Sequence, residues 1–324
     1  MKSELSSRSS ELAVDPLSDV LSLLRPTGTM SGAIDKAGDW AVRFGPHAGI
    51  KFQAVISGGY WLRVEGVDEP LRIEAGDCYL LPRGRPFSIA SDLSLAPVDA
   101  HAFLQTPLNG GVRRINGGGE CYSLGCYFEF SGRHAEVLLA MLPPIVHIRA
   151  EADKAAMRWF VERLMLELRE PQPGGTLVMQ QLSTLLLVQA LRLQLDDGLR
   201  RGGVGWLFAL ADRQMRAAIG AMHDDPARRW TLQSLAERAC MSRSSFALKF
   251  RQTVGTPPMD YLARWRMLLA ADRLTRSGDS IATLSQALGY DSESAFSTAF
   301  KRVMGSSPRR YGRRAGATDA PVTG

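Results

Sequence analysis

The chain has 324 residues, enough for two domains that each bury a core of their own, and its 45% hydrophobic and 22% charged residues are those of a globular protein. No uninterrupted apolar 20-mer occurs, which argues against a membrane-spanning helix and for a cytoplasmic chain with no membrane partner. The net charge of +6 is uneven: from Trp206 onward 18 basic residues face 10 acidic ones, giving +8, while the preceding residues carry about −2. A local positive field of this kind suits a polyanion, most simply nucleic acid.

Cysteine and histidine narrow the chemistry further. Cys78, Cys121, Cys126 and Cys240 form no CxxC pair, and His47, His101, His134, His147 and His223 show neither HxH nor HExxH spacing. Reduced thiols, no bound metal, no cofactor and no catalytic residues are therefore expected.

Residues 1–16 lack the apolar run of an export signal and read as a flexible lead-in. From residue 17 to about 147, short β-like runs alternate with Gly, Pro, Asn and Asp. In "YWLRVE", alternation places Tyr60, Leu62 and Val64 on one face and Trp61, Arg63 and Glu65 on the other, the signature of a half-buried sheet. Gly76 and Asp77 signal a tight turn, and strands at this spacing predict a sandwich or small barrel.

Helical periodicity begins near Asp153. It places Ala156, Phe160, Leu164 and Leu168 at intervals of four until Pro171 stops the run. A second helix opens at Thr176, the expected N-cap. Its apolar surface, including Leu182, Leu185, Leu186, Val188, Leu191 and Leu193, is wider than one neighbour requires, which points to packing on the sheet together with pairing to a second copy in a homodimer, with packing wholly within the chain as the alternative. Residues 17–195 are thus read as one domain, the glycine-rich 196–205 as a linker, 206–311 as an all-helical domain and 312–324 as a disordered tail.

The helical domain contains a duplication. At an offset of 50, Ser242 pairs with Ser292, Phe246 with Phe296, Phe250 with Phe300, Arg251 with Lys301 and Gly255 with Gly305; the register continues through Pro258 with Pro308 and Tyr261 with Tyr311. In unit one, Thr231 caps a helix carrying Leu235, Ala236 and Ala239, and a short turn leads to a second helix capped by Ser242. Unit two repeats the plan with Ile281, Leu284, Leu288, a turn at Gly289 and the cap Ser292. The four phenylalanines are read as core, leaving Ser244, Ala247 and Leu248, and Ser294, Ser297 and Thr298, as base-reading candidates on the opposite faces. Arg251, Lys301, Arg302, Arg309 and Arg310 are candidates for phosphate contacts on double-stranded DNA. The intervening "YLARWRMLLAADRL" predicts a rigid helix that fixes the spacing of the two units.

The stretches "LAERACMSRSSFALKF", "IATLSQALGYDSESAFSTAFKRVMGSSPRRY" and "YLARWRMLLAADRL" resemble the DNA-binding domain of AraC/XylS-type transcriptional regulators over about a hundred C-terminal residues. The resemblance implies two helix-turn-helix units that each place their second helix in the major groove, and the transcription machinery as a partner. Members of that family often carry Arg where this chain has Leu248 and Thr298, so the bidentate contact of guanidinium with guanine is missing at both positions, and Leu248 offers a thymine methyl an apolar contact instead. "LRIEAGDCYLLPRGRPFSI", "YWLRVEG" and "LPPIVHI" resemble the cupin-type sensor domain of one branch of the family. This implies a β-barrel with following helices and a small-molecule effector. Gln53 and Phe87 stand where metal-binding cupins place histidines, and Gln53, Trp61, Arg85 and Phe87 are the nominated effector-pocket residues.

The expected function is that of a sequence-specific, effector-responsive activator. A repressor, or a constitutive activator whose barrel only dimerises it, is the alternative within DNA binding. A cupin-type enzyme is the alternative from another class, and it lacks converging ligands or a nucleophile and base in the sequence.

Overall fold

The computed structural model describes residues 15–105, 110–130, 139, 142–201 and 204–318. It divides into two compact units, one within residues 24–200 and a helical one that joins the described residues from 201 onward with residues 15–23.

Among its described residues the first unit has the strands β1 (Thr27–Lys36), β2 (Ala41–Phe44), β3 (Ile50–Ser57), β4 (Gly59–Val64), β5 (Leu71–Glu74), β6 (Cys78–Leu81), β7 (Phe87–Ala90), β8 (Val98–Asp99), β9 (Val112–Ile115), β10 (Cys121–Glu129) and β11 (Val146–Ile148). They form two separate sheets, ordered β11-β6-β3-β10-β1-β9 and β5-β4-β7-β2-β8. The closed β-barrel implied by the cupin resemblance is therefore corrected: among the described residues no ladder joins one sheet to the other, and each keeps two edges, β11 and β9 in one and β5 and β8 in the other. Closure requires the last edge strand to pair with the first. Here the outermost pairs β1–β9 and β2–β8 run parallel and end their own sheets.

What holds the sheets is burial between them. Trp40, Val42, Phe44, Val55, Tyr60, Leu62, Val64, Ile73, Tyr79, Phe87 and Ile89 form one core, in which the alternation of β4 puts Tyr60, Leu62 and Val64 inside and Arg63 outside. The expected turn before β6 is made: the Asp77 amide donates to the Glu74 carbonyl at 3.0 Å, with Gly76 at φ +85°.

Between the strands lies α2 (Ala100–Leu104), and after them come α3 (Glu151–Arg169) and α4 (Gly175–Arg201). The buried residues of α3 are Met157, Val161, Leu164 and Glu167 rather than the expected Ala156–Phe160–Leu168 row; only Leu164 belongs to both. A strict interval of four drifts around a helix of 3.6 residues per turn, and spacings of four and three stay on one face. Helix α4 starts one residue before Thr176, so that threonine is not its cap, and it runs on through Arg201.

In the second unit, α1 (Pro16–Leu24) buries Leu17, Val20 and Leu23. It is followed in sequence by α5 (Trp206–Ala209), α6 (Arg213–Asp224), α7 (Leu232–Arg238), α8 (Arg243–Val254), α9 (Pro258–Arg276), α10 (Ile281–Ala287), α11 (Glu293–Met304) and α12 (Pro308–Thr318). Asp19 of α1 reaches His223 of α6, whose Nδ1 lies 3.2 Å from the carboxylate and whose Nε2 lies 2.9 Å from the Tyr261 hydroxyl. The imidazole stacks on Trp265 at 3.8 Å, and burial holds its pKa below the ordinary histidine value. Residues 319–324 of the tail lie outside the described residues.

Candidate nucleic-acid interface

Each half of the helical unit is a helix, a tight turn and a second helix. In unit one, Thr231 caps α7 by accepting from the Ser234 amide in a capping box, and Ser242 caps α8 by accepting from the Ser245 amide. In unit two, Ser280 caps α10 and Ser292 caps α11. These side-chain acceptors satisfy amides that a helix start leaves without a partner. Both second helices end on a left-handed glycine, Gly255 at φ +83° and Gly305 at φ +72°.

The duplication is exact in its second helices and slips by one residue before them. Helices α8 and α11, and α9 and α12, start 50 positions apart, whereas α7 and α10 start 49 apart. The extra residue sits in the second turn. Cys240 holds the left-handed turn position in unit one at φ +53°, and Gly289 holds it in unit two at φ +72°. The next amides close matching bonds, Met241 to the Ala236 carbonyl and Tyr290 to the Ser285 carbonyl, each at 2.9 Å. Gly289 has a second reason to be glycine, because a Cβ there would lie 2.1 Å from the Ala227 carbonyl oxygen.

Packing fixes which face each second helix offers. Phe246, Phe250, Phe296 and Phe300 are completely buried, and the units bury Leu235 and Ala236 beneath one and Leu284 and Ser285 beneath the other. The opposite faces are open. Ser244, Leu248 and Arg251 are exposed and Ala247 is half-buried; Ser294, Thr298, Lys301 and Arg302 are exposed and Ser297 is half-buried. Leu248 is 61% exposed, in the middle of this open face. Arg309 and Arg310 are exposed in the first turn of α12. Lys249, by contrast, is tied back into the unit by Asp212 and Gln214, both at 2.7 Å.

Helix α9 spans 19 residues, about 28 Å at 1.5 Å per residue. It buries Tyr261, Leu262, Trp265, Met267, Leu268, Ala270 and Ala271, so one continuous rod contributes core to the region around both units.

The effector-pocket residues do not meet in one place. Phe87 stacks on Phe44 at 4.6 Å in the sandwich core. Gln53 is opposite Tyr79 in the β3–β6 register and lies over Gly125 of β10. Trp61 is on the other side of β4 from Leu62, where the Arg72 guanidinium covers its ring at 5.6 Å. Arg85 donates to the carbonyls of Glu65 and Gly66 at 3.1 and 3.0 Å and so braces a turn.

Two features of this unit were not singled out in the sequence. One is a crevice of about 180 Å³ where α3 crosses β3 and β6, lined by the apolar Ala54, Met157 and Val161 and by the charged Lys154, Arg158 and Glu162. The other is Lys36, wholly buried, with its Nζ donating to Ser123 Oγ at 2.6 Å and facing the Trp40 and Tyr60 rings at 5.4 and 5.0 Å. Burial pushes its pKa down to about 8. Strand alternation flags neither, since both depend on partners distant in sequence. Among the described residues no three His, Cys, Asp or Glu side chains come together as metal ligands, and no helix is long and apolar enough to cross a membrane.

The fold and this face define a protein with a pair of helix-turn-helix units for DNA, joined to a two-sheet domain of cupin type. Residues 15–196 match the cupin family model and residues 235–314 the helix-turn-helix domain model. A putative AraC-like transcription regulator of Streptomyces lividans is 41% identical over 299 residues, covering 92% of this chain and 98% of that protein. The HTH-type transcriptional regulator AlkR of Acinetobacter baylyi is 30% identical over 249 residues, covering 73% and 79%. The RCS-specific HTH-type transcriptional activator RclR of Escherichia coli is 27% identical over 309 residues, covering 93% and 98%. The chain belongs to the AraC/XylS family of DNA-binding transcriptional regulators.

Proposed function

We propose that this regulator is a sequence-specific, effector-responsive activator that binds a bipartite DNA site as a homodimer. The observation that carries the DNA reading is the repeated exposure pattern of α8 and α11, which buries the same two phenylalanines and opens the same face in both units. On that face Ser244, Ala247 and Leu248, and Ser294, Ser297 and Thr298, read base edges. Arg251, Lys301, Arg302, Arg309 and Arg310 contact phosphates and fix the register.

Activation is supported by the Escherichia coli relative, which is a transcriptional activator. The crevice beside α3, whose lining combines apolar side chains with the charged Lys154, Arg158 and Glu162, supports a small-molecule effector, and the exposed Trp159, Leu166, Leu177 and Leu185 on α3 and α4 support association with a second copy.

The test is recovery of genomic fragments bound by the full-length protein at near-physiological salt, followed by transcription in vitro from a recovered promoter. A shared motif with two halves about one helical turn apart, and more transcript with the protein than without, is the expected result. Less transcript would make the protein a repressor, and fragments without a shared motif would defeat the sequence-specific reading.

A further inference from the structure

The two reading helices have the same shape and opposite charge at their first residue. Cap, buried pair and open face coincide at the 50-residue offset, yet the residue after the cap is Arg243 in α8 and Glu293 in α11, both exposed. The positive end of a helix favours a carboxylate and disfavours a guanidinium. Arg243 also makes no hydrogen bond or ion pair among the described residues. Neither the stability of its helix nor the packing of its unit accounts for an arginine there. Glu293 is similarly unengaged, and its acidic neighbour Asp291 is the one held by Arg229.

We propose that Arg243 and Glu293 are specificity-determining residues that make the two reading heads prefer different bases. This rests on the assignment of α8 and α11 as the major-groove helices. The N-terminal residues of such a helix are the ones that meet base edges. A guanidinium presents two parallel donors, which match the O6 and N7 acceptors of guanine; a carboxylate only accepts, and it takes the N4 amino hydrogen of cytosine while phosphate oxygens repel it. In unit one the guanine contact stands beside Ala247 and Leu248, apolar surface suited to a thymine methyl. In unit two the cytosine contact stands beside the hydroxyls of Ser297 and Thr298. The half-sites are therefore unlike in composition as well as separate in space. They give the bipartite site a direction.

The experiment is selection of bound sequences from a random DNA library by the full-length protein, the Arg243→Gln and Glu293→Gln variants, and the double charge exchange Arg243→Glu with Glu293→Arg. The salt dependence of each affinity is measured in parallel. Both positions are exposed, and unchanged thermal unfolding confirms that the variants remain folded. Arg243→Gln should lose a guanine preference of about 5- to 150-fold at one position of one half-motif, leaving the other half intact. Glu293→Gln should exchange cytosine for adenine in the other half, because an amide both donates and accepts. The double exchange should swap the two preferences.

Uniformly weaker binding to an unchanged motif, with the salt slope reduced by about 0.9, would make Arg243 a phosphate contact and overturn the proposal. An unchanged motif with an unchanged slope would place it outside the interface and overturn it as well. If the unaltered protein selects no motif at all, the failure belongs to the sequence-specific reading itself.

Discussion

At the scale of single residues, Lys36 is a costly feature of the two-sheet unit. A cation with a hydroxyl at 2.6 Å and two aromatic faces has lost its hydration without gaining a carboxylate in contact. Lowering its pKa from 10.5 to about 8 corresponds to roughly 3 kcal/mol of burial cost below pH 8. The unfolded chain holds this proton more tightly, so the cost is complete below pH 8 and fades as pH rises toward 10.5. Lys36→Met should therefore raise stability by about 1–3 kcal/mol at pH 7, and its advantage over the parent should shrink between pH 8 and 10.5, as checked by denaturant unfolding across that range. Opposite behaviour is expected of the exposed cations. Arg251→Ala and Lys301→Ala should leave stability within about 0.5 kcal/mol and should lower the slope of log affinity against log salt by about 0.9 each. Leu248→Ala and Thr298→Ala should redistribute preference among sites, read from the selected motif.

At the scale of elements, the two helix-turn-helix units solve one geometric problem with different turns. Cys240 tolerates the left-handed turn position in unit one, while in unit two the same position is Gly289, against the Ala227 carbonyl. Gly289→Ala combines positive φ with a Cβ 2.1 Å from that oxygen, and it should cost at least about 2 kcal/mol, seen as a lower Tm of the helical unit. Cys240→Gly should instead be neutral or stabilising in the same measurement. The offset of 50 is plain in the sequence because phenylalanine, serine and glycine recur at the second helices. The offset of 49 before them is hidden, since Leu235 with Leu284 and Ala236 with Ser285 are too ordinary a pairing to reveal a one-residue slip. The drift along α3 is a similar case: apolar residues are abundant at both Ala156–Phe160 and Met157–Val161, and only contact with the sheet selects the second row.

At the scale of the whole molecule, the exposed apolar residues of α3 and α4 are the outstanding surface feature. Trp159 and Leu177 are 59% and 61% exposed, and Leu185 is 52% exposed on a helix that buries Leu182, Leu186, Leu187, Ala190 and Leu191. If these residues join two copies, Leu185→Asp should shift sedimentation from dimer to monomer and weaken binding to paired sites far more than to a single site. Equal sedimentation of parent and variant would remove this face from the interface.

The duplicated DNA-binding units, three of their four caps (all but Ser280), their buried phenylalanines, the positive charge of their half of the chain and the family are legible in the sequence alone. Each of these is written in residue type at short, repeating spacing. The alternation of β4 was legible for the same reason: one face must be apolar to be buried. Only the tertiary structure decided that the strands form two open sheets, that Pro16–Leu24 packs with the helical unit, that Trp61 and Arg85 stand apart from Phe87, and that a lysine lies within the sandwich. Those outcomes depend on which distant strands pair and which faces meet, and pairing between segments a hundred residues apart leaves no periodic trace in either one.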